Sequence, residues 1–167
     1  IHYIKNMKIA VIGNGETALK TKSGGFIDKC RHVIRLGNFI IDNYQDYIGN
    51  KTTIIGTSYK KTDNIHLAPF VWYVEDMTDE ENSTLTYNLN YDKNMTIESN
   101  RPTIGMRTLQ KAIDTFPDYT IYVKGFDFLN TGWYWDKDHT YGAVSHPTIL
   151  EKIYYKKLIR RKKIIEL

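Results

Sequence analysis

The chain has one cysteine in 167 residues, so no internal disulfide can form. Cys30 also stands in no metal-ligand spacing, which fits a reducing compartment or a cysteine-poor bacterial or viral protein. No run approaches the roughly 20 apolar residues that span a bilayer. Residues 1–7 (IHYIKNM) lack the apolar centre of a signal peptide and read as a leader or remnant ahead of the first strand. Internal repeats and low-complexity linkers are missing too, so nothing divides the chain. With 41% apolar residues it can bury one substantial core, and the expectation is a single domain over residues 1–167.

Net positive charge is confined to one end. Residues 152–167 hold seven of the 23 Lys and Arg residues and one acid, Glu166, which leaves the rest slightly acidic. A solvated, basic C-terminal helix accounts for this, because cations suit a helix C-terminus. Ile149, Leu150, Ile153, Tyr154, Leu158 and Ile159 leave open a second use, an amphipathic helix resting on an anionic membrane. Nucleic acid is not expected as a partner, since only Tyr154 and Tyr155 are interleaved with the cations.

What the chain does have is a series of short, β-branched apolar runs bounded by turn residues. Strands are expected at Lys8–Ile12, Val33–Leu36, Thr52–Ile55, Val71–Val74 and Thr120–Val123. A helix is expected over Gly105–Phe116, where Met106, Leu109, Ile113 and Phe116 share a face, and another from Pro147 to about Ile165, capped by Ser145 or His146. Strands alternating with helices predict an α/β, Rossmann-like domain with a mostly parallel sheet. Residues 76–100, acidic and rich in Asn and Thr, read as a surface insertion or lid.

The first strand runs into Gly13-Asn14-Gly15-Glu16-Thr17-Ala18, a glycine pattern that can let backbone amides approach a phosphate. A dinucleotide site would also place an acid at the end of the second strand, where this chain has Arg35-Leu36-Gly37-Asn38. The turn alone therefore leaves a phosphate site, an NAD(P)-dependent oxidoreductase and a plain packing turn all open.

Four stretches in fixed order narrow the choice. "VIGNG", "FIDKCRHVIRLGNF" and "YQDYIGNKTT" together resemble the large sialylmotif of sialyltransferases. "RPTIGMRTLQKAI" followed by "YTIYVKGFDF" resembles the small sialylmotif, "HTY" the third, and "HPTILE" the His-x4-Glu of the very small one. "YVKGFDFLNTGWY" is also similar to bacterial sialyltransferases of the Campylobacter type, within a wider group of CMP-sugar transferases that includes Kdo transferases. Two residues separate Arg35 from Asn38 where the family has one, and the cysteine pair of the animal enzymes is absent.

The resemblance implies an inverting transfer of sialic acid, or a related acidic sugar such as Kdo, from a CMP donor to a glycan hydroxyl. It makes His146 the general base and His139 the group that stabilises the departing phosphate, with Tyr141 assisting. Imidazole suits both tasks, since it exchanges protons near neutral pH. Asn14 and Gly15 fall on the phosphate side, Asn38 on the cytidine side, Thr103, Ile104 and Gly105 on cytidine and ribose, and Gly125 near the ribose. Glu151 and Arg101 are supporting residues, the first orienting an imidazole or meeting the helix dipole, the second facing the sugar carboxylate.

Asp136-Lys137-Asp138 matches the short Asp-x-Asp pattern by which many nucleotide-sugar transferases hold a divalent cation. The resembled family needs none, so neither metal nor cofactor is expected. The partners implied are a CMP-sugar and a glycan acceptor that could be lipid-linked, with the protein in the cytoplasm, peripheral at the inner face of a membrane. A non-catalytic nucleotide-binding module is the remaining alternative.

Overall fold

The computed structural model describes residues 7–58, 62–74, 102–141 and 146–167. Six parallel strands form one sheet: β1 (Lys8–Ile12), β2 (His32–Leu36), β3 (Ile54–Thr57), β4 (Phe70–Tyr73), β5 (Thr120–Lys124) and β6 (Ile165–Glu166). Their spatial order is β4-β3-β2-β1-β5-β6. Short helical turns α1 (Gly24–Ile27) and α2 (Gln45–Ile48) and the longer helices α3 (Ile104–Thr115) and α4 (Thr148–Arg160) connect or cover the strands.

The alternation along β1 shows why the sheet must be covered on both sides. Ile9 and Val11 join Ile34, Leu109, Val123 and Leu158 in one core, while Ala10 and Ile12 join Ala18, Ile27, Val33 and Ile48 in another. Parallel strands with both faces buried are apolar throughout. Each such side chain contributes about 1.5–3 kcal/mol on burial. α3 packs on the sheet at Gly56, where a Cβ would stand 2.2 Å from the Thr108 hydroxyl, so only glycine admits the helix there.

Two long cations are sealed inside without a carboxylate among their hydrogen-bond acceptors. Arg35, 1% exposed, donates to the carbonyls of Ile48, Gly49 and Lys51 and to Thr52 Oγ1, tying down the chain between α2 and β3. Lys124 Nζ donates to Thr21 O and Oγ1 and to Ser23 Oγ; burial pushes its pKa down to about 8.

Two expected elements change. β3 begins two residues later than the apolar pattern indicates, because Thr52 and Thr53 spend their hydroxyls on Arg35 and on the Val33 amide. The C-terminal helix stops at Arg160: Lys163 N bonds back to Leu158 O, Lys162 takes a positive φ of 55°, and Ile164 is buried as β6 adds to β5. Residues 161–167 are therefore not helical. Of the six apolar residues noted on this helix, Tyr154 and Leu158 are buried in the core, and Ile149 and Ile153 remain well exposed. The residue capping α4 is Pro147, without a side-chain bond, in place of His146. The lid at 76–100, Arg101 and Ser145 lie outside the described residues.

Candidate active site

β1 is the strand from which the chain leaves in both directions, β2 to β4 on one side and β5 and β6 on the other. In such sheets the loops after adjacent strands diverge at this point and leave a crevice beyond the carboxyl ends. A cavity of about 610 Å³ opens there. Its walls include Gly13–Gly15 after β1, Leu36–Asn38 after β2, Thr103–Gly105 at the start of α3, and Gly125–Asp127 after β5. His139, Tyr141 and His146 line it as well.

The opening glycine turn is held from within. Gly13 N donates to Lys124 O at 2.7 Å and Gly15 N to Gly125 O at 2.9 Å. Glu16 N donates to Thr131 Oγ1, Thr17 N to Asp127 Oδ2, and Ala18 N to Gly15 O. A Cβ on Gly13 would lie 2.4 Å from Gly125 O, and one on Gly125, whose φ is +74°, 2.5 Å from Gly13 O. These glycines let two strand-end turns pack backbone to backbone. The amides of Gly13, Gly15, Glu16, Thr17 and Ala18 are thus spent on protein acceptors, Asp127 taking both the amide and the hydroxyl of Thr17.

Asp127, two residues past Gly125, is a further site residue that the sequence pattern does not single out. Its carboxylate accepts from Thr17 N, from the Thr17 hydroxyl and from Thr131 Oγ1 at 2.6 Å, so it fastens the first turn to the loop after β5. The available signal was its position just past the strand beside the crossover point. Asn14 Nδ2 donates to Leu36 O and Asn38 O at 2.9 and 3.0 Å, bridging the ends of β1 and β2. Asn38 Oδ1 accepts from Asp63 N. Both asparagines border the cavity while serving loop geometry.

At the α3 end, Thr103 Oγ1 accepts from Met106 N as the helix cap and donates to Glu151 Oε2 at 3.0 Å. Glu151 Oε1 takes Thr103 N at 2.6 Å. Glu151 is 1% exposed, and burial pushes its pKa up to about 7 against the opposing pull of the Thr103 hydrogen bonds. Glu151 stands in the first turn of α4, where the dipole reading expects it, and from there its carboxylate clasps the first turn of α3. The amides of Ile104 and Gly105, as the first residues of α3, have no acceptor within the helix and face the cavity wall.

The histidine end is aromatic. His139 stacks on Trp133, centroids 3.5 Å apart and planes 10° from parallel, and meets Tyr141 edge-on at 4.9 Å. Burial, then the Asp127 charge, push the Tyr141 hydroxyl pKa up, against a hydrogen bond from Trp133, so Tyr141 stays protonated at neutral pH. His139, Tyr141 and His146 also line a second cavity of about 440 Å³, with Phe128, Asn130, Thr131 and Thr148. Phe128 and Leu129 both carry positive φ, 54° and 61°, a strained conformation for residues other than glycine. Phe128 is braced there edge-on against Tyr155. Asp136 and Asp138 are exposed, and among the described residues no group of three or more His, Cys, Asp or Glu could hold a metal ion.

Residues 5–81, just under half the chain, match the model of glycosyltransferase family 29 (sialyltransferase). Over this stretch the chain resembles the sialyltransferases. Its fold extends the likeness well beyond the matched residues. A mammalian sialyltransferase superposes with a TM-score of 0.67 at 13% identity, over 96% of this chain and 68% of the other. The same kind of enzyme in complex with Gal-beta-1-3GalNAc-ortho-nitrophenol gives 0.61 at 13% identity, over 96% and 69%. The monofunctional alpha-2,3-sialyltransferase Cst-I from Campylobacter jejuni gives 0.59 at 18% identity, over 100% and 78%. No curated protein sequence matches the chain. The two adjoining cavities meet at His139, Tyr141 and His146.

Proposed function

We propose that this glycosyltransferase moves an acidic sugar, sialic acid first and Kdo second, from a CMP donor to a glycan hydroxyl, with inversion and without a metal or other cofactor. The observation that carries the reading is the convergence, in one cavity at the strand crossover, of the α3 N-terminus with His139, Tyr141 and His146. The cytidine and ribose lie against Thr103, Ile104 and Gly105, between Asn38 and Gly125, and the phosphate lies past Asn14 and Gly15. The acceptor enters from the smaller cavity.

In the reaction His146 takes the proton from the acceptor hydroxyl. The oxygen forms its bond to the anomeric carbon from the face opposite the leaving group while the carbon–oxygen bond to phosphate breaks, and both electrons of that bond depart with CMP. His139 and the Tyr141 hydroxyl donate hydrogen bonds to the phosphate as its charge grows, the usual means by which placed donors lower such a barrier. Cytoplasmic residence at the inner face of a membrane belongs to the same proposal. A lipid-linked acceptor would bring the substrate there, and exposed Ile149 and Ile153 beside Lys152 and Lys156 are the surface in support.

Calorimetric titration with CMP, UMP and NAD in chelator tests the donor class. Selective CMP binding supports the reading, and preference for NAD overturns it. Transfer from CMP-sialic acid set against CMP-Kdo then decides the sugar. His146→Ala should lower kcat by about 10²- to 10⁴-fold with CMP affinity kept; unchanged transfer would refute the base assignment.

A further inference from the structure

Trp133 makes more connections than any wall residue needs. Its backbone exchanges two hydrogen bonds with Asp136, both 3.0 Å, and forms an antiparallel bridge with Gly15. Its indole lies flat against His139 at 3.5 Å and borders the larger cavity. Trp135 braces it at 5.0 Å. The loop that carries His139 is otherwise open to solvent: Asp136, Lys137, Asp138 and Thr140 are all exposed. Flat contact with a large ring that is itself tied to the glycine turn is what sets the plane of the imidazole.

We infer that Trp133 is a positioning residue for the transfer: it fixes the orientation of His139 relative to the turn after β1. This inference rests on the transferase reading above. Displacing a catalytic group by about 1 Å can cost on the order of 10²-fold in rate, so the stack bears on kcat more than on donor affinity.

The test uses the full chain with Trp133→Leu, which removes the ring, and Trp133→Phe, which keeps a stacking face and loses the N–H. Trp133→Leu should lower kcat by about 10- to 100-fold and change the KM for CMP-sugar by less than about threefold. Trp133→Phe should stay within about fivefold of the parent, which keeps the inference testable if the leucine variant does not fold. In a His139→Ala background the leucine change should cost nothing further, because residues acting through one another are not additive. Equal losses in both backgrounds, or a loss lying wholly in KM, would overturn the inference. The histidine ring protons give a readout independent of turnover. The resonance of His139 should be displaced upfield by the indole in the parent and the phenylalanine variant, and not in Trp133→Leu. Should the parent transfer no sugar, the transferase reading fails. An unshifted His139 signal in the parent would instead refute the stack itself.

Discussion

Two glycine-bearing turns border the same cavity and use glycine for opposite ends. After β1, Gly13 and Gly15 allow the backbone to lie against Gly125 and Asp127, and their amides are consumed in doing so. At the start of α3, a Cβ on Gly105 would meet side chains, Leu36 at 3.2 Å, Phe126 at 3.4 Å and Thr103 at 3.7 Å, and the first residues of the helix, whose amides have no acceptor within it, line the cavity. One turn holds the floor together and the other faces the ligand. A glycine motif at a strand end is thus uninformative about phosphate until the fate of each amide is known.

The sharpest way to break this comparison is Gly13→Ala. The new methyl would press on a carbonyl that cannot move without pulling β5, so the loss should be about 3 kcal/mol in denaturant unfolding. A neutral result would show that the turn is not built on backbone contact.

Asp127→Ala comes next. It leaves the Thr17 amide and the Thr17 and Thr131 hydroxyls without their acceptor, and should cost about 2 kcal/mol by the same measurement. If stability holds but donor binding collapses, Asp127 is a ligand contact and not a fastener.

Glu151→Gln sharpens the other side. The buried acid has its folded pKa raised from 4.5 to about 7, so the folded chain holds a proton that the unfolded chain has lost across that window. Wild-type stability from this group is therefore lost as pH rises from about 4.5 to about 7. The glutamine variant lacks that slope, and its stability relative to the parent should rise by on the order of 1 kcal/mol between pH 5 and pH 8, read from melting curves. Parallel pH profiles would place the titration elsewhere.

The smallest stability effect belongs to Gly105→Ala. Alanine favours the helix by up to about 1 kcal/mol, offset by the shift asked of Leu36, so stability should change by less than about 1 kcal/mol. CMP affinity should fall about tenfold as the methyl enters the ligand's wall. Unchanged affinity would remove Gly105 from the site.

Much of this molecule is legible along the chain. Five strands and the α3 helix follow from the spacing of apolar residues, because burial on both sheet faces selects continuous apolar runs whatever their neighbours. The ordered stretches carrying Asn14, Thr103, His139 and His146 likewise identify which loops meet, since loops at one edge of a parallel sheet converge by topology. β6 was not legible. Two exposed residues beside a buried Ile164 resemble a helix tail, and only pairing with β5 makes them a strand.

The sequence by itself determined the alternation of strands and helices, the parallel sheet and the loops that form the site, all of which depend on local composition and order. The tertiary structure decided where hydrogen bonds and charges are spent: Gly15 on Gly125, Thr17 on Asp127, Glu151 on Thr103, His139 on Trp133. Those pairings join residues up to 110 positions apart. A buried polar group takes whichever partner the packed fold brings within about 3 Å, and no local pattern in the chain encodes that distance.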